Sequence, residues 1–271
     1  MSYTKKQSEI DKILEGGALM GEILEKLGKM VEPGRNAKEI DDQAEKLIKE
    51  AGGIPAFKGY KPHKHATPFP STICASLNKE IVHGIATADK VFKEGDVFSI
   101  DIGMQWPAKS GEGKNGNGYF TDTAITVPVG EIDEKIKQLL NVTRKSMYLG
   151  IEQAKPGNKI ADIGKKIEKY VKPQGYGIVR DLVGHGVGHE VHEDPRVPNY
   201  YDEELEMWEL RPGVVIAIEP MITMGDYKVV TGEDGWGIFS ADGSLSAHFE
   251  HTVVVTESGP VIATKRPSEN I

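Results

Sequence analysis

Cysteine is almost absent from this chain, whose 271 residues contain only Cys74. A single thiol excludes an internal disulfide framework and fits a reducing compartment. Long apolar runs are absent too: none approaches the roughly eighteen residues of a membrane-spanning helix, and residues 1–9 lack the apolar core of a signal peptide. These absences predict a cytoplasmic protein with no membrane partner.

Basic residues are outnumbered by acidic ones, 33 Lys and Arg against 41 Asp and Glu, which gives a formal net charge of −8. No run of Lys and Arg forms a basic patch, so the sequence predicts no nucleic-acid partner. Hydrophobic residues make up 38% of the chain and charged residues 27%, as in an ordinary globular protein. The length alone allows one domain or two.

Two acidic residues lie within strand-like apolar runs. Asp101 interrupts residues 97–103, and Glu219 interrupts residues 214–220. The runs resemble copies of each other, because a shift of 118 positions superimposes Asp101 on Glu219 and aligns their apolar neighbours. Buried acids at matching strand positions are unusual, and they point to a shared function.

A second pair of matching runs lies further along the chain. Residues 122–127 align with residues 250–255 at an offset of 128, which places Asp122 on Glu250. An ionised carboxylate costs several kcal/mol to bury without a counter-charge. None of the four runs contains Lys or Arg. The four carboxylates therefore predict a shared metal site.

Apolar periodicity predicts four helices: a first over about residues 10–31, a second over 40–51, a third over 131–154, and a fourth that repeats the second. Gly16 and Gly17 should interrupt or weaken the first helix, because glycine disfavours a helix interior.

A Pro-Gly turn marks the start of an internal repeat. Pro33-Gly34 recurs as Pro156-Gly157, and the same offset of 123 also aligns identical residues along the helices that follow. The repeats would cover about residues 33–130 and 156–271, after an N-terminal helical segment of residues 1–32. Each half reads as helices followed by acid-bearing strands.

Three of the eight histidines, His185, His189 and His192, lie within eight residues. Imidazole is the commonest nitrogen ligand for Mn, Fe, Co and Zn ions, so this segment is expected to supply the remaining metal ligand. Its glycines disfavour a helix, which excludes the helical His-Glu-x-x-His zinc motif and favours an irregular loop.

These motifs together resemble the type I methionine aminopeptidases over nearly the whole chain. The matching stretches are residues 78–85, 99–103, 121–123, 184–188, 192–195, 218–221 and 246–252. The resemblance implies the pita-bread fold, an α/β (α+β) fold in which two pseudo-twofold halves of helices and strands surround a central antiparallel-rich sheet. It also implies a single catalytic domain over residues 1–271.

The resemblance implies a cofactor of two divalent metal ions: Co, Mn, Fe or Zn. Asp101 would bind one ion, and His185 and Glu219 the other. Asp122 and Glu250 would bridge the pair. Two such ions can hold a bridging water, lower its pKa and stabilise a tetrahedral oxyanion, and Glu219 is the expected general base. The implied activity is hydrolysis of the N-terminal methionine from nascent polypeptides through this metal-bridged water.

Further residues are expected to contact the substrate. His83 and His192 would act in catalysis by steadying the scissile carbonyl and the leaving amide. The methionine pocket should be apolar and polarizable, and its expected lining residues are Phe57, Tyr60, Cys74 and Trp236. A small residue would follow methionine in the substrate. The family also suggests ribosome association, and we expect a monomer. His189 and His251 receive no catalytic role.

Three departures from the family pattern bear on selectivity. Asp101 and Asp122 lie 21 residues apart, which implies an insertion over about residues 107–117 whose glycine-rich part favours a hairpin tip over a phosphate-binding loop. Residues 61–69 form an enlarged loop beside the pocket. Val191 replaces an aromatic residue and should leave room beside the methionine side chain, unless the 61–69 loop fills the gap.

Two alternative functions use the same fold. A proline-directed aminopeptidase or dipeptidase usually carries a large N-terminal domain, whereas only about thirty residues precede the first repeat here. A non-catalytic binding protein would lose its metal ligands first, whereas this chain has all five. Metal-dependent release of methionine from a peptide would separate the three possibilities.

Overall fold

The structure, a computed structural model, describes residues 3–109, 111 and 116–270. Residues 110 and 112–115 of the expected insertion lie outside the described residues. Within the described ranges the α-helices are α1 (Gln7–Gly28), α2 (Ala37–Glu50), α3 (Glu134–Ile151) and α4 (Ile160–Val171). None of the helices in these ranges is long and apolar enough to cross a membrane.

Polar side chains set the starts of two helices. The side chain of Asn36 accepts the N–H of Glu39 at 3.1 Å before α2, and the side chain of Asp133 accepts the N–H of Ile136 at 2.8 Å before α3. Each bond satisfies a backbone donor that has no partner inside the helix. For this reason α3 begins at Glu134, slightly later than its apolar periodicity predicts.

Helix α1 continues through Gly16 and Gly17 without the expected interruption. A Cβ on Gly17 would lie 2.6 Å from the carbonyl oxygen of Ala263, and a Cβ on Gly21 would lie 2.4 Å from that of Lys265. These glycines let α1 approach the C-terminal segment closely. The expectation that these glycines interrupt α1 is wrong, because the helix runs unbroken from Gln7 to Gly28 despite a propensity cost of about 1 kcal/mol per glycine.

The strands are short except for one long pair. In chain order they are β1 (Ile54–Pro55), β2 (Ile73–Leu77), β3 (Glu80–Val82), β4 (Val97–Trp106), β5 (Tyr119–Pro128), β6 (Gly177–Ile178), β7 (Gly184–Gly186), β8 (Glu193–Val197), β9 (Val215–Ile218), β10 (Met221–Thr223), β11 (Val229–Thr231), β12 (Ile238–Ser240), β13 (Ser246–His248), β14 (His251–Thr256) and β15 (Gly259–Ile262).

The paired strands of the described ranges are antiparallel. One large sheet has the order β1-β4-β2, with β5 also paired to β4, and the other has the order β15-β14-β9-β7-β8. Two smaller sheets have the orders β13-β10-β6 and β11-β12-β3. Strands β4 and β5 pair from Val97 opposite Pro128 to Trp106 opposite Tyr119, which confirms the predicted hairpin.

Each half of the chain has its own apolar core. Helices α1 and α2 share one core with β4, where Ile40 and Ile100 are fully buried. Helices α3 and α4 share the other with β9, where Ile163 and Ile218 are fully buried. These residues are pairwise equivalent in the sequence repeat. The helices cover one face of each large sheet. The opposite faces carry the acids and face each other between the two halves.

The two halves meet where β5 runs beside the junction of β13 and β14. Ala124 and Glu250 exchange backbone hydrogen bonds of 3.0 and 3.4 Å. The hydroxyl of Thr252 donates to the carbonyl oxygen of Asp122 at 2.8 Å and accepts the N–H of Asp122 at 2.9 Å. Because Asp122 and Glu250 are equivalent in the repeat, the duplicated segments bind each other and bring their acids together.

Gly21→Ala should destabilise the protein, because the new Cβ would lie 2.4 Å from a backbone oxygen. Overpacking of this kind costs about 1–3 kcal/mol. Gly28→Ala is the matched control in the same helix, because its Cβ would have its nearest contact at 3.4 Å. Urea unfolding measures both variants. Equal midpoints would show that Gly21 is not required for the contact.

Candidate metal centre and active site

The acids that the sequence marks as metal ligands lie on or beside the central strands. Their places are Asp101 within β4, Asp122 within β5, Glu219 directly after β9 and Glu250 between β13 and β14. None of the four is more than 8% exposed. His185 lies within β7 and faces them from the second large sheet.

Ligand atoms of these residues form overlapping groups in which all atoms lie within 4.8 Å of one another. The groups are Asp122–His185–His192, His185–Glu219–Glu250 and Asp101–Asp122–Glu250. The fold thus brings together all five residues predicted as metal ligands. It also brings His192, expected on the substrate side, next to two of them.

His185 presents its Nε2 atom to the acids. Its Nδ1 lies 2.9 Å from the carbonyl oxygen of Gly186, so the tautomer with Nδ1–H donates there and leaves Nε2 for a metal. His185 Nε2 is 3.4 Å from Glu219 Oε1 and 4.0 Å from Asp122 Oδ2. Burial and the neighbouring His192 lower the pKa of His185 to about 3, so the ring is neutral, as a ligand must be.

The site contains buried oxygen atoms without a hydrogen-bond partner among the described residues: Asp101 Oδ1, Asp122 Oδ1 and Glu250 Oε1. Burial raises the pKa of Glu219 to about 8, and it raises the pKa of Asp101 to about 6 despite a partial offset from His248. Burial and repulsion among the acids raise the pKa of Asp122 and Glu250 well above the ordinary range. A divalent cation fits this site, because it would supply the counter-charge and occupy the free oxygens.

A cavity of about 430 Å³ opens beside the acids. Its lining includes all six residues predicted for the substrate side: Phe57, Tyr60, Cys74, His83, His192 and Trp236. Most of the wall is apolar and the polar groups converge at one end, which is typical of a small-molecule or side-chain site.

His83 and His192 reach the cavity from separate segments. His83 has a φ of 59°, a left-handed conformation that is uncommon outside glycine and that proteins retain mainly at functional sites. Burial lowers the pKa of His83 to about 4, so its ring is neutral. The ring of His192 packs edge-on against His185 at 4.5 Å, and its Nδ1 lies 3.1 Å from the hydroxyl of Tyr60.

The apolar wall includes one residue that the sequence did not single out. Phe69 is buried in a cluster with Phe57 and Val191, and it packs edge-on against Trp236 at 5.1 Å. Phe69 ends the enlarged 61–69 loop. This loop therefore contributes a buried ring to the same cluster as Val191.

The sequence patterns did not predict an ion pair between Lys5 and Glu193. This pair anchors the histidine loop, residues 187–192, which connects β7 to β8. Lys5 Nζ lies 2.7 Å from Glu193 Oε2, and the Lys5 side chain is almost fully buried. Glu193 Oε1 also accepts the N–H of Glu190 at 3.0 Å, and His189 Nε2 lies 3.0 Å from Glu9 Oε1. The N-terminal segment thus holds the loop from outside. No local motif reveals a contact between residues 188 positions apart.

Two histidines of the last strands point in opposite directions. His251 faces away from the site, as strand alternation predicts, and its Nδ1 lies 3.0 Å from the hydroxyl of Thr264. His248 faces the site, with Nε2 3.4 Å from Glu219 Oε2. Alternation along the strand put His248 on the same face as Glu250, but the sequence alone offered no role for it.

The chain is similar to known proteins over almost its full length. The sequence profile of metallopeptidase family M24 matches residues 11–257. A methionine aminopeptidase from Clostridium acetobutylicum and methionine aminopeptidase 1 from Bacillus subtilis are each 42% identical, over 97% and 98% of this chain and 99% and 100% of theirs. The crystal structure of a Thermotoga maritima methionine aminopeptidase matches with a TM-score of 0.88 at 39% identity, over 97% of this chain and 99% of that chain. These likenesses confirm the predicted pita-bread fold.

Metal-free protein should lose stability as the pH rises from about 7 to about 8. This range lies above the ordinary pKa of 6.5 of the buried histidines, whose lowered pKa values act in the opposite sense at lower pH. The pKa of Glu219 increases from 4.5 to about 8 on folding, so the folded state holds the proton more tightly. Stability falls with pH wherever the folded state binds more protons than the unfolded state. Urea denaturation of chelated protein at several pH values should show this decline in the free energy of unfolding.

Glu219→Gln is the control for this pH dependence, because it removes one of the titrating groups and should make the decline shallower. Bound metal should oppose the decline, since it competes with protons for the same oxygens. Metal-free protein that grows more stable across this pH range would contradict the raised pKa values.

Proposed function

The chain belongs to metallopeptidase family M24, and we infer from this that its buried acids serve metal-dependent hydrolysis of a peptide bond. It is a divalent-metal-dependent aminopeptidase that removes methionine from the N terminus of peptides. Relatives of nearly full length at about 40% identity favour this function over the proline-directed and non-catalytic alternatives. The observation that carries the mechanism is the set of overlapping ligand groups beside the cavity.

The proposed site holds two divalent ions. The groups His185–Glu219–Glu250 and Asp101–Asp122–Glu250 share only Glu250, and this supports a site in which each group would hold one ion. Asp122 Oδ2 lies 4.0 Å from His185 Nε2, so Asp122 would help to hold the ions together with His185. Four carboxylates and one imidazole suit Mn, Fe, Co or Zn.

When bound, the divalent ions supply a Lewis acid that polarises the scissile carbonyl and lowers the pKa of water. The residues of the chain hold the substrate and move protons. Glu219 is the proposed general base, because its carboxylate borders both the ligand groups and the cavity. The neutral rings of His83 and His192 would hydrogen-bond to the scissile carbonyl and the leaving amide.

The methionine side chain of the substrate would enter the apolar part of the cavity. A flexible thioether packs well against aromatic rings and sulfur, and the proposed contacts are Phe57, Tyr60, Cys74 and Trp236. Burial raises the pKa of Cys74 well above its usual value, so it stays a neutral thiol that suits this role. Phe69 completes the wall and would limit the width of an acceptable side chain.

The biological setting is a further part of the proposal. The natural substrates would be nascent polypeptides in which a small residue follows methionine, processed in the cytoplasm near the ribosome by a monomer. Residues 1–271 would act as one catalytic domain. Both repeats, about 33–130 and 156–271, contribute ligands to one site, and the segment 1–32 supplies Lys5, which supports this view.

Chelated protein should fail to cleave a Met-Ala-Ser peptide, and single additions of Mn, Fe, Co or Zn should restore the release of methionine to different degrees. Equilibrium dialysis should find two ions per chain. Equal rates with and without metal would contradict the metal-dependent mechanism, whereas a stoichiometry of one would contradict only the paired site.

Glu219→Gln provides the companion measurement, since it keeps the side-chain volume but removes the charge and the base. At saturating metal its turnover should be at least about a hundredfold lower, the usual size of general-base loss. A decrease of less than threefold would remove Glu219 from the mechanism.

Phe69→Ala should relax the selectivity for methionine, because it removes the ring that packs against Trp236 in the pocket wall. One methylene of fit is worth about 1–3 kcal/mol, so the kcat/KM ratio of Met-Ala-Ser over Leu-Ala-Ser should fall at least several-fold. Phe92→Leu is the control, because Phe92 is buried in the core away from the cavity. An unchanged ratio in Phe69→Ala would show that the loop does not shape selectivity.

A further inference from the structure

His248 is a buried histidine that the mechanism above does not use. It ends β13 and is only 1% exposed, and neither of its ring nitrogens has a hydrogen-bond partner among the described residues. His251 is equally buried but is satisfied, because its Nδ1 contacts Thr264 and its Nε2 contacts Arg266. A buried polar ring without partners is costly, so its retention needs a reason.

The ring of His248 is aimed at the acids. Its Nε2 lies 3.4 Å from Glu219 Oε2, whereas the other carboxylate oxygen, Oε1, lies 3.4 Å from His185 Nε2. Glu219 is therefore placed between two imidazoles, one on each oxygen. The charge of Asp101 also acts on His248, which indicates that the ring lies near acids on both large sheets.

The backbone of His248 is held firmly in place. The hydroxyl of Thr126 accepts the His248 N–H at 2.8 Å and donates to the His248 carbonyl oxygen at 2.9 Å. Strand β13 also pairs with β10, where His248 is opposite Met221. Thr126 belongs to β5, the strand that carries Asp122, so the backbone of His248 is bonded to the strand that supplies another candidate ligand.

We propose that His248 is a positioning residue of the metal centre: with metal bound, its Nε2–H would donate to Glu219 Oε2, 3.4 Å away, and so hold Glu219 Oε1 on the side that His185 faces. This inference rests on the proposed function. A direct ligand role is disfavoured, because among the described residues His248 joins none of the three groups of ligand atoms within 4.8 Å of one another. An imidazole that orients a ligating carboxylate raises metal affinity without entering the coordination sphere.

The test compares His248→Leu, which removes both nitrogens, with His248→Gln, whose amide N–H can reach a similar point. Titration of chelated protein with Co²⁺ against a competing chelator should show that the Leu variant binds about 10–100-fold more weakly, the usual effect of losing such a partner. The Gln variant should stay within about threefold of the unmodified chain. His63→Leu is the control, because His63 is exposed and belongs neither to the groups of ligand atoms nor to the cavity lining, and it should leave Co²⁺ affinity unchanged.

Unfolding of the metal-free variants separates positioning from a structural role. His248→Leu removes an unpartnered ring, so its metal-free midpoint in urea should be equal to or higher than that of the unmodified chain while its metal affinity falls. A lower midpoint together with unchanged Co²⁺ affinity would make His248 structural and overturn the proposal. His248→Met gives the same comparison if the branched leucine prevents folding.

The visible absorption spectrum of the Co²⁺-loaded protein tests the direct-ligand alternative. Positioning predicts the same ligand-field bands in the Leu variant at saturating metal. If His248 is instead a direct ligand, the bands should change in both His248→Leu and His248→Gln, and both variants should lose Co²⁺ affinity equally. That result would overturn the positioning role. The unmodified chain is measured alongside: failure of that chain to bind metal would overturn the proposed function itself, whereas normal binding with an unaffected Leu variant would overturn only the role of His248.

Discussion

The arrangement of this protein is governed by four carboxylates that lie next to one another away from water. Such a cluster is electrostatically unfavourable unless it is neutralised. Asp101, Asp122, Glu219 and Glu250 are all buried, and burial raises the pKa of each. Proteins tolerate such a cluster only when protons or a cation neutralise it. Metal binding therefore also stabilises the centre, because the ions neutralise the buried carboxylates. The imidazole of His185 is neutral at ordinary pH and is suited to be the fifth ligand.

Duplication explains how the chain assembles this cluster. Each half supplies a helix-backed sheet with acids on its inner face, and the halves join through reciprocal bonds between Ala124 and Glu250 and between Asp122 and Thr252. Neither half alone has a complete set of ligands. The bonds that join the two halves also bring the ligands together. Substitutions at this contact should therefore change stability and activity together.

The substrate side is built differently, from loops that the two sheets support. His83 takes a left-handed conformation, Phe69 enters from the loop of residues 61–69, and His192 lies in a loop that the Lys5–Glu193 ion pair anchors. Loops vary more freely than paired strands, because few of their backbone groups are committed to a sheet. Within this family fold, selectivity can therefore change while the metal centre stays the same.

The sequence by itself determined the acids, the repeat and the β4–β5 hairpin, because strand alternation and matched offsets are local properties that survive folding. Only the tertiary structure decided which distant groups meet. Gly17 was expected to weaken α1, but together with Gly21 it allows the close contact of this helix with residues 263–265. The roles of Phe69 and His248 were likewise invisible, because periodicity gives the face on which a side chain lies but not its neighbour across the fold.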